Sequence, residues 1–208
     1  MALDKDEVSS RVLDIAETLL NEGGAINLKA RTIAEKAGIA VGSIYNLYGD
    51  LDGLHLAVNL RLLDRLAGAG METMAQMQAS KVRDTRERLL ALARTYLKYV
   101  AANPQSWAAL LAFSPTRIDP SRREDYMERL DGLLGIIMQV ILDDKKLALD
   151  EDECMLNARI LWSSVHGIVT NGASSRSANP EVETWRQVDH LVTVYLAGLE
   201  RHPGRSTH

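Results

Sequence analysis

The sequence is short of several things, and each shortage narrows its class. It has one cysteine, Cys154, so no internal disulfide is possible. A lone thiol suits a reducing cytoplasm and is most simply a helix residue. No apolar run is long enough to cross a bilayer. The longest, Leu133–Leu142, is broken by Gln139 and falls well short of the ~20 residues a spanning helix needs, so no membrane partner is expected. The N-terminus, MALDKDEVSS, is polar and acidic, unlike a signal peptide. Gly and Pro do not gather into a low-complexity linker, no internal repeat is found, and no segment alternates convincingly as a strand would.

Residue sets that carry catalysis are also missing. His55, His166, His190, His202 and His208 are scattered. Ser163-Ser164 beside His166 lacks the strand-turn-helix that a nucleophile elbow requires. There is no Cys–His cluster for zinc and no glycine loop to cradle phosphate. The acidic run Asp150–Glu153 reads as a helix N-terminus, where carboxylates oppose the positive end of the helix dipole. No enzyme, metal or cofactor is expected.

What is present is helical. The apolar fraction of 46% in 208 residues is ordinary for a globular chain and permits a real core. Periodicity predicts helices over Asp4–Leu20, Leu51–Met77, Arg83–Ala102, Gln105–Phe113, Arg122–Leu142, Asp150–Ala173 and Pro180–Glu200, with two short ones between the first and second. Asn103-Pro104 ends one helix and opens the next, Ser114–Pro120 reads as a loop, and Asn179 as a cap.

The richest stretch is Leu28–Leu54, LKARTIAEKAGIAVGSIYNLYGDLDGL. Ile33, Ala34 and Ala37 give a short helix one buried face. Gly38 then ends it at little cost in a left-handed turn, and Ile39 plugs the gap. A second short helix runs from Ala40 to Tyr48. On a wheel of 3.6 residues per turn, Ile44, Leu47 and Tyr48 point one way, and Val41, Gly42, Tyr45 and Asn46 the other. Gly49-Asp50 ends it, and Asp50 can cap the next helix. This is a helix-turn-helix, which delivers one short helix into the major groove of DNA. Its bland counterpart is a helical hairpin of no special function.

This segment resembles the DNA-binding domain of the TetR family of bacterial transcriptional regulators. The matching residues are Ile33-Ala34, Ala37-Gly38-Ile39, Gly42–Tyr48 and Leu54, with Arg11, Leu13 and Ala16 in the first helix and Gly23-Gly24 after it. Leu161–Ile168 (LWSSVHGI) is similar to the W-x-x-x-H-G signature of one class of TetR C-terminal domains. The resemblance implies an all-α, nine-helix fold. It divides into a three-helix head over residues 1–50, a ligand-binding and dimerisation body over 51–201, and a flexible tail over 202–208.

It further implies a homodimer on a near-palindromic, double-stranded operator, released by a small apolar effector. The alternative is a helical dimer with a non-switchable DNA-binding or protein-docking role. The charge pattern is only mildly favourable: the net charge is −4, but residues 24–48 carry Lys29, Arg31 and Lys36 against Glu35. Phosphate attraction depends on that local surface, not on the chain total.

Within the head, the resemblance gives Ser43 and Tyr45 hydroxyl contacts to phosphate. The other reading of Tyr45 is a packing residue. Lys29, Arg31, Thr32 and Tyr48 are further DNA candidates. Val41 suits a thymine methyl, Gly42 a close backbone approach and Asn46 a base edge. The family usually has Lys at the position of Leu51, where it meets a phosphate; here Asp50 and Asp52 flank a leucine, so that contact is lost.

For an effector pocket, the candidates are bulky or adaptable groups. They are Tyr96, Tyr99, Val100, Trp107, Leu110, Leu111 and Phe113, with Met127, Leu130, Leu134, Met138 and Trp162. His166 is the sharpest polar member, either bonding a ligand or satisfying a neighbouring group. Any of these residues can simply fill space in a bundle. The resemblance places dimer contacts on the last two helices, at Leu156, Ile160, Ser164, Gly167 and Ile168 and at Leu191, Val194, Tyr195 and Gly198. Intramolecular packing is the other reading of those stripes.

Overall fold

A computed structural model of the chain describes residues 4–112, 120–172 and 178–201. Among them are nine α-helices and no strand, as expected: α1 (Lys5–Gly23), α2 (Ala30–Ala37), α3 (Val41–Tyr48), α4 (Leu51–Ala79), α5 (Thr85–Ala102), α6 (Pro104–Ala112), α7 (Pro120–Leu142), α8 (Glu151–Gly172) and α9 (Pro180–Arg201). A 3-10 turn, Ala25–Asn27, links α1 to α2. Residues 202–208, expected as a tail, lie outside the described residues.

The chain falls into two compact units, neither continuous in sequence. One comprises Met1–Arg65 and Tyr99–Leu130, the other Leu66–Lys98 and Asp131–His208. Helices α4, α5 and α7 therefore each supply residues to both. The first unit holds the 1–50 head together with the start of α4, the end of α5, α6 and the start of α7.

The core of the first unit gathers Val12, Ala16 and Leu20 of α1, Ile33 and Ala34 of α2, Ile44 of α3 and Leu54 and Val58 of α4, all essentially inaccessible. Removing so much aliphatic surface from water is the main force holding α2 and α3, two eight-residue helices that would be marginal alone. Polar ties add direction. Arg61 of α4 meets Asp14 at 2.7 Å and Glu17 at 3.2 Å, and Arg65 meets Glu17 at 2.7 Å. Ser106 Oγ of α6 donates to Asn21 Oδ1 of α1 at 2.5 Å.

The second unit is built around Val140, Ile141, Leu147, Cys154 and Ala158. A reciprocal capping box opens α8: the Asp150 N–H donates to Glu153 Oε2, and the Glu153 N–H to Asp150 Oδ1. This is the helix start that the acidic run announced. No helix among the described residues is long and apolar enough to cross a membrane.

Candidate functional site

The turn between α2 and α3 is set by one glycine. Gly38 has φ 65° and ψ 36°, a left-handed conformation that most side chains resist. A Cβ there would meet nothing within 4 Å, so backbone conformation, not space, is what calls for glycine. Its N–H donates to the Glu35 carbonyl, and the Ile39 N–H to the Ala34 carbonyl, a pattern that closes a helix C-terminus with its carbonyls satisfied.

Helix α3 then presents two unlike faces. Ile44 is fully buried, and Leu47 and Tyr48 are half-buried. The Tyr48 hydroxyl donates to the Ser9 carbonyl at 3.1 Å and lies 2.9 Å from Ser9 Oγ. Burial pushes its pKa up, with the Ser9 bond and the Arg61 charge acting the other way. Tyr48, included above among the DNA candidates, is therefore turned inward and engaged with α1. On the opposite face Val41, Gly42, Tyr45 and Asn46 are exposed, Tyr45 at 45%. Lys29, at the N-cap of α2, and Arg31, in its first turn, are exposed, while Ser43 and Thr32 are half-buried. At the far end of α3, Asp50 Oδ1 accepts from the Gly53 N–H at 2.6 Å and caps α4 as expected.

A second feature belongs to the other unit. Residues of α4, α5, α7, α8 and α9 line a cavity of about 60 Å³ whose wall is almost wholly apolar. Tyr96 and Trp162 are on that wall. The rest is Leu66, Gly70, Leu89, Ala93, Ile136, Val165 and similar residues, with Thr95 as a polar member. His166 is off the wall but holds it, with Nδ1 2.9 Å from the Tyr96 hydroxyl. The Tyr96 and Trp162 rings are 5.0 Å apart, and those of Trp162 and His166 are 5.7 Å apart. Burial lowers the pKa of His166 and raises that of Tyr96. Both rings are thereby favoured in their neutral forms.

The other effector candidates are not on this wall. Leu111 and Met127 are exposed. Tyr99, Trp107, Leu110 and Leu130 belong to the first unit, where Trp107 and Leu110 are buried and the Tyr99 hydroxyl donates to the Leu62 carbonyl. Burial lifts the Tyr99 pKa to about 12. Leu134 and Met138 pack in the second unit without lining the cavity, and Phe113 lies outside the described residues. The reason is physical: aliphatic residues, not the large aromatics and methionines, form most of this wall.

On α8 and α9, Leu156, Ile160, Val194 and Gly198 are exposed, with Ser164, Gly167, Ile168 and Leu191 half-buried. Tyr195 is turned within the chain, its hydroxyl donating to Asn157 Oδ1 at 2.5 Å. Val182 is exposed as well, a position the periodicity did not single out. Among the described residues no group of His, Cys, Asp and Glu is arranged to hold a metal.

Residues 89–195 match a family model described as the tetracyclin repressor-like C-terminal domain. Across 197 residues the chain is 24% identical to an uncharacterised HTH-type transcriptional regulator of Mycobacterium tuberculosis, covering 95% of this chain and 82% of that one. Solved structures share the fold. A TetR-family transcriptional regulator from Streptomyces coelicolor superposes with a TM-score of 0.68 at 18% identity, over 97% of this chain and 85% of that one. The transcriptional regulator FadR from Bacillus subtilis, solved in complex with stearoyl-CoA, does so with 0.65 at 16% identity, over 88% and 96%.

Proposed function

The chain belongs to the TetR family of transcriptional regulators, and on that premise we propose that it is a cytoplasmic, homodimeric repressor. In this reading it binds a near-palindromic operator and is released by a small apolar effector. The observation that carries the reading is the division of α3: Ile44 buried and Tyr48 tied to Ser9 on one face, Val41, Gly42, Tyr45 and Asn46 open on the other. A helix held so firmly from behind and bare in front is suited to a groove. Lys29, Arg31 and Thr32 before it, and Ser43 within it, are the residues for phosphate contacts in this reading.

Two copies are needed because one head offers little charge. The exposed apolar residues Leu156, Ile160 and Val194 suit a partner face. A Cβ at Gly167 or Gly198 would stand in open space, so packing within the chain does not require glycine there, and close approach of a second copy would use it.

The effector site is the apolar cavity. At about 60 Å³ it is far below the ~300 Å³ of a typical ligand pocket. An effector must therefore part the surrounding helices, and it favours whichever arrangement leaves them parted. Because α4, α5 and α7 run through both units, that change passes along continuous helices toward the head. FadR is described in complex with stearoyl-CoA; the wall here, with no charged residue among those described, suits the hydrocarbon part of such a molecule. The role involves no catalysis.

A gel shift on the DNA just upstream of the chain's own gene tests the reading. Sequence-preferring binding by wild type, weakened in Tyr45→Ala with the dimer intact, is expected. Binding without sequence preference overturns it.

A further inference from the structure

We propose that Arg122, carried on α7 and outside the helix-turn-helix, is a DNA-binding residue that contacts a backbone phosphate at the end of the exposed face of α3. The inference rests on the DNA-binding reading above. It adds a contact from a part of the chain that a helix-turn-helix does not include.

The geometry is local and specific. Val41, Tyr45 and Gly49 follow one another at four-residue spacing, so they form one row along α3 and its end. Gly49 has φ 79°, a conformation that favours glycine, and its N–H closes α3 on the Tyr45 carbonyl at 2.8 Å. The Arg122 guanidinium lies directly against this turn. A Cβ added at Gly49 would collide with Nη2 of Arg122, and one added at Gly53 would reach Nη1 at 2.7 Å besides striking the Tyr48 carbonyl. Two glycines, one at the end of α3 and one in the first turn of α4, thus clear a seat for a side chain that lies far away in sequence.

Charge explains why a cation there is useful. Asp50 and Asp52 are both exposed at the start of α4. Two carboxylates at the end of a groove-facing helix repel the DNA backbone. Nη1 of Arg122 stands 3.4 Å from Asp50 Oδ1, a long ion pair, with the two side chains 37% and 63% exposed. So open a pair contributes little to stability. It does offset one carboxylate, and it leaves the planar, five-donor guanidinium reachable from solvent, where an arginine suits a phosphate. Leu51, beside it, supplies no charge.

The test is the salt dependence of binding, which counts phosphate contacts without needing the operator. Full-length protein is titrated by fluorescence anisotropy onto a 30-base-pair duplex of random sequence, from about 50 to 200 mM salt. Each phosphate contact adds about 0.9 to the slope of log affinity against log salt.

Arg122→Ala is expected to lower that slope by about 0.9 per protomer. If both protomers of a dimer contribute, the wild-type advantage shrinks about tenfold across the range. Arg122→Lys is expected to recover the slope. Weaker binding by Arg122→Ala with an unchanged slope means that the arginine only props α3, and overturns the proposal. So does recovery of the full slope in Arg122→Ala combined with Asp50→Asn, which would reduce Arg122 to a partner of Asp50. Failure of wild type to bind any duplex removes the DNA-binding reading itself, a result distinct from either.

Discussion

The hydroxyl of Tyr96 and Nδ1 of His166 meet at 2.9 Å, and the burial of that imidazole, rather than the bond, gives the fold a pH dependence. Burial holds the folded His166 pKa below its ordinary 6.5. Burial does the same to His55, against a smaller raising effect of Asp52. Well above pH 6.5 neither folded nor unfolded chain protonates these rings. As pH falls through 6.5 the unfolded chain takes up protons first, so stability declines until the folded rings protonate too.

The melting temperature is therefore expected to fall between pH 7.5 and 5.5, and His166→Asn to flatten that slope in part. Tyr96→Phe is expected to keep the slope, since burial is its cause. Burial pushes the Asp143 pKa up, but its bonds to Gln139 and Arg88 and the charges of Arg88 and Lys145 together hold it below its ordinary 3.8, so it loses its contribution only at lower pH. It does not confuse the window.

Tyr45 and Tyr48 separate binding from folding. Tyr48→Phe leaves Ser9 without its partner and is expected to cost about 0.5–1.5 kcal/mol, read by denaturant titration. Tyr45→Ala, on the open face, is expected to change stability by no more than about 0.5 kcal/mol while weakening DNA binding. A large stability loss from Tyr45→Ala would make it a packing residue.

This contrast between faces was legible in the sequence because a helical period places Ile44 and Tyr45 about 100° apart whatever surrounds them. Gly38 and Asp50 were legible too, since a left-handed turn and a helix cap have their own residue chemistry. The cavity was legible only in Tyr96 and Trp162. Most of its wall is Leu133, Ile136, Leu161, Val165 and the like, the same residue types that fill any bundle core. Nothing local tells a residue beside a void from one beside another leucine. Trp107 was chosen for its size and proves to be buried in the other unit. The stripe that put Tyr195 among contact residues carries no sign that its hydroxyl would find Asn157. Arg122 and Asp50 are paired only by the fold.

Glu17 is nearly inaccessible yet lies between Arg61 and Arg65. Glu17→Ala is expected to destabilise by about 1–3 kcal/mol, because two charge-assisted contacts go and both arginines, being partly exposed, recover hydration. Glu17→Gln retains one acceptor and is expected to fall between. The effect of Glu17→Ala should persist in 0.5 M salt, since buried pairs are screened far less than exposed ones. Its disappearance there would show that the contacts act through a solvated surface.

Gly70 sits inside α4 on the cavity wall, and two opposed effects decide what a methyl group does there. Glycine in a helix interior is less stable than alanine by about 0.5–1 kcal/mol, because the unfolded chain has more freedom to lose. Against this, the new Cβ would lie 3.3 Å from Cδ1 of Ile136 and 3.8 Å from Cδ2 of Leu92. The first contact is tight, but it is with the far end of a flexible side chain that already borders a void. A shift of a few tenths of an ångström relieves it. The backbone effect wins, so Gly70→Ala is expected to raise the melting temperature by about 2 °C. Gly70→Ile adds branches that the void cannot absorb without moving Leu92 and Ile136 together, and is expected to destabilise by about 1–3 kcal/mol. A fall for Gly70→Ala in thermal unfolding would mean that Ile136 cannot yield, and that the cavity wall is stiffer than its aliphatic lining suggests.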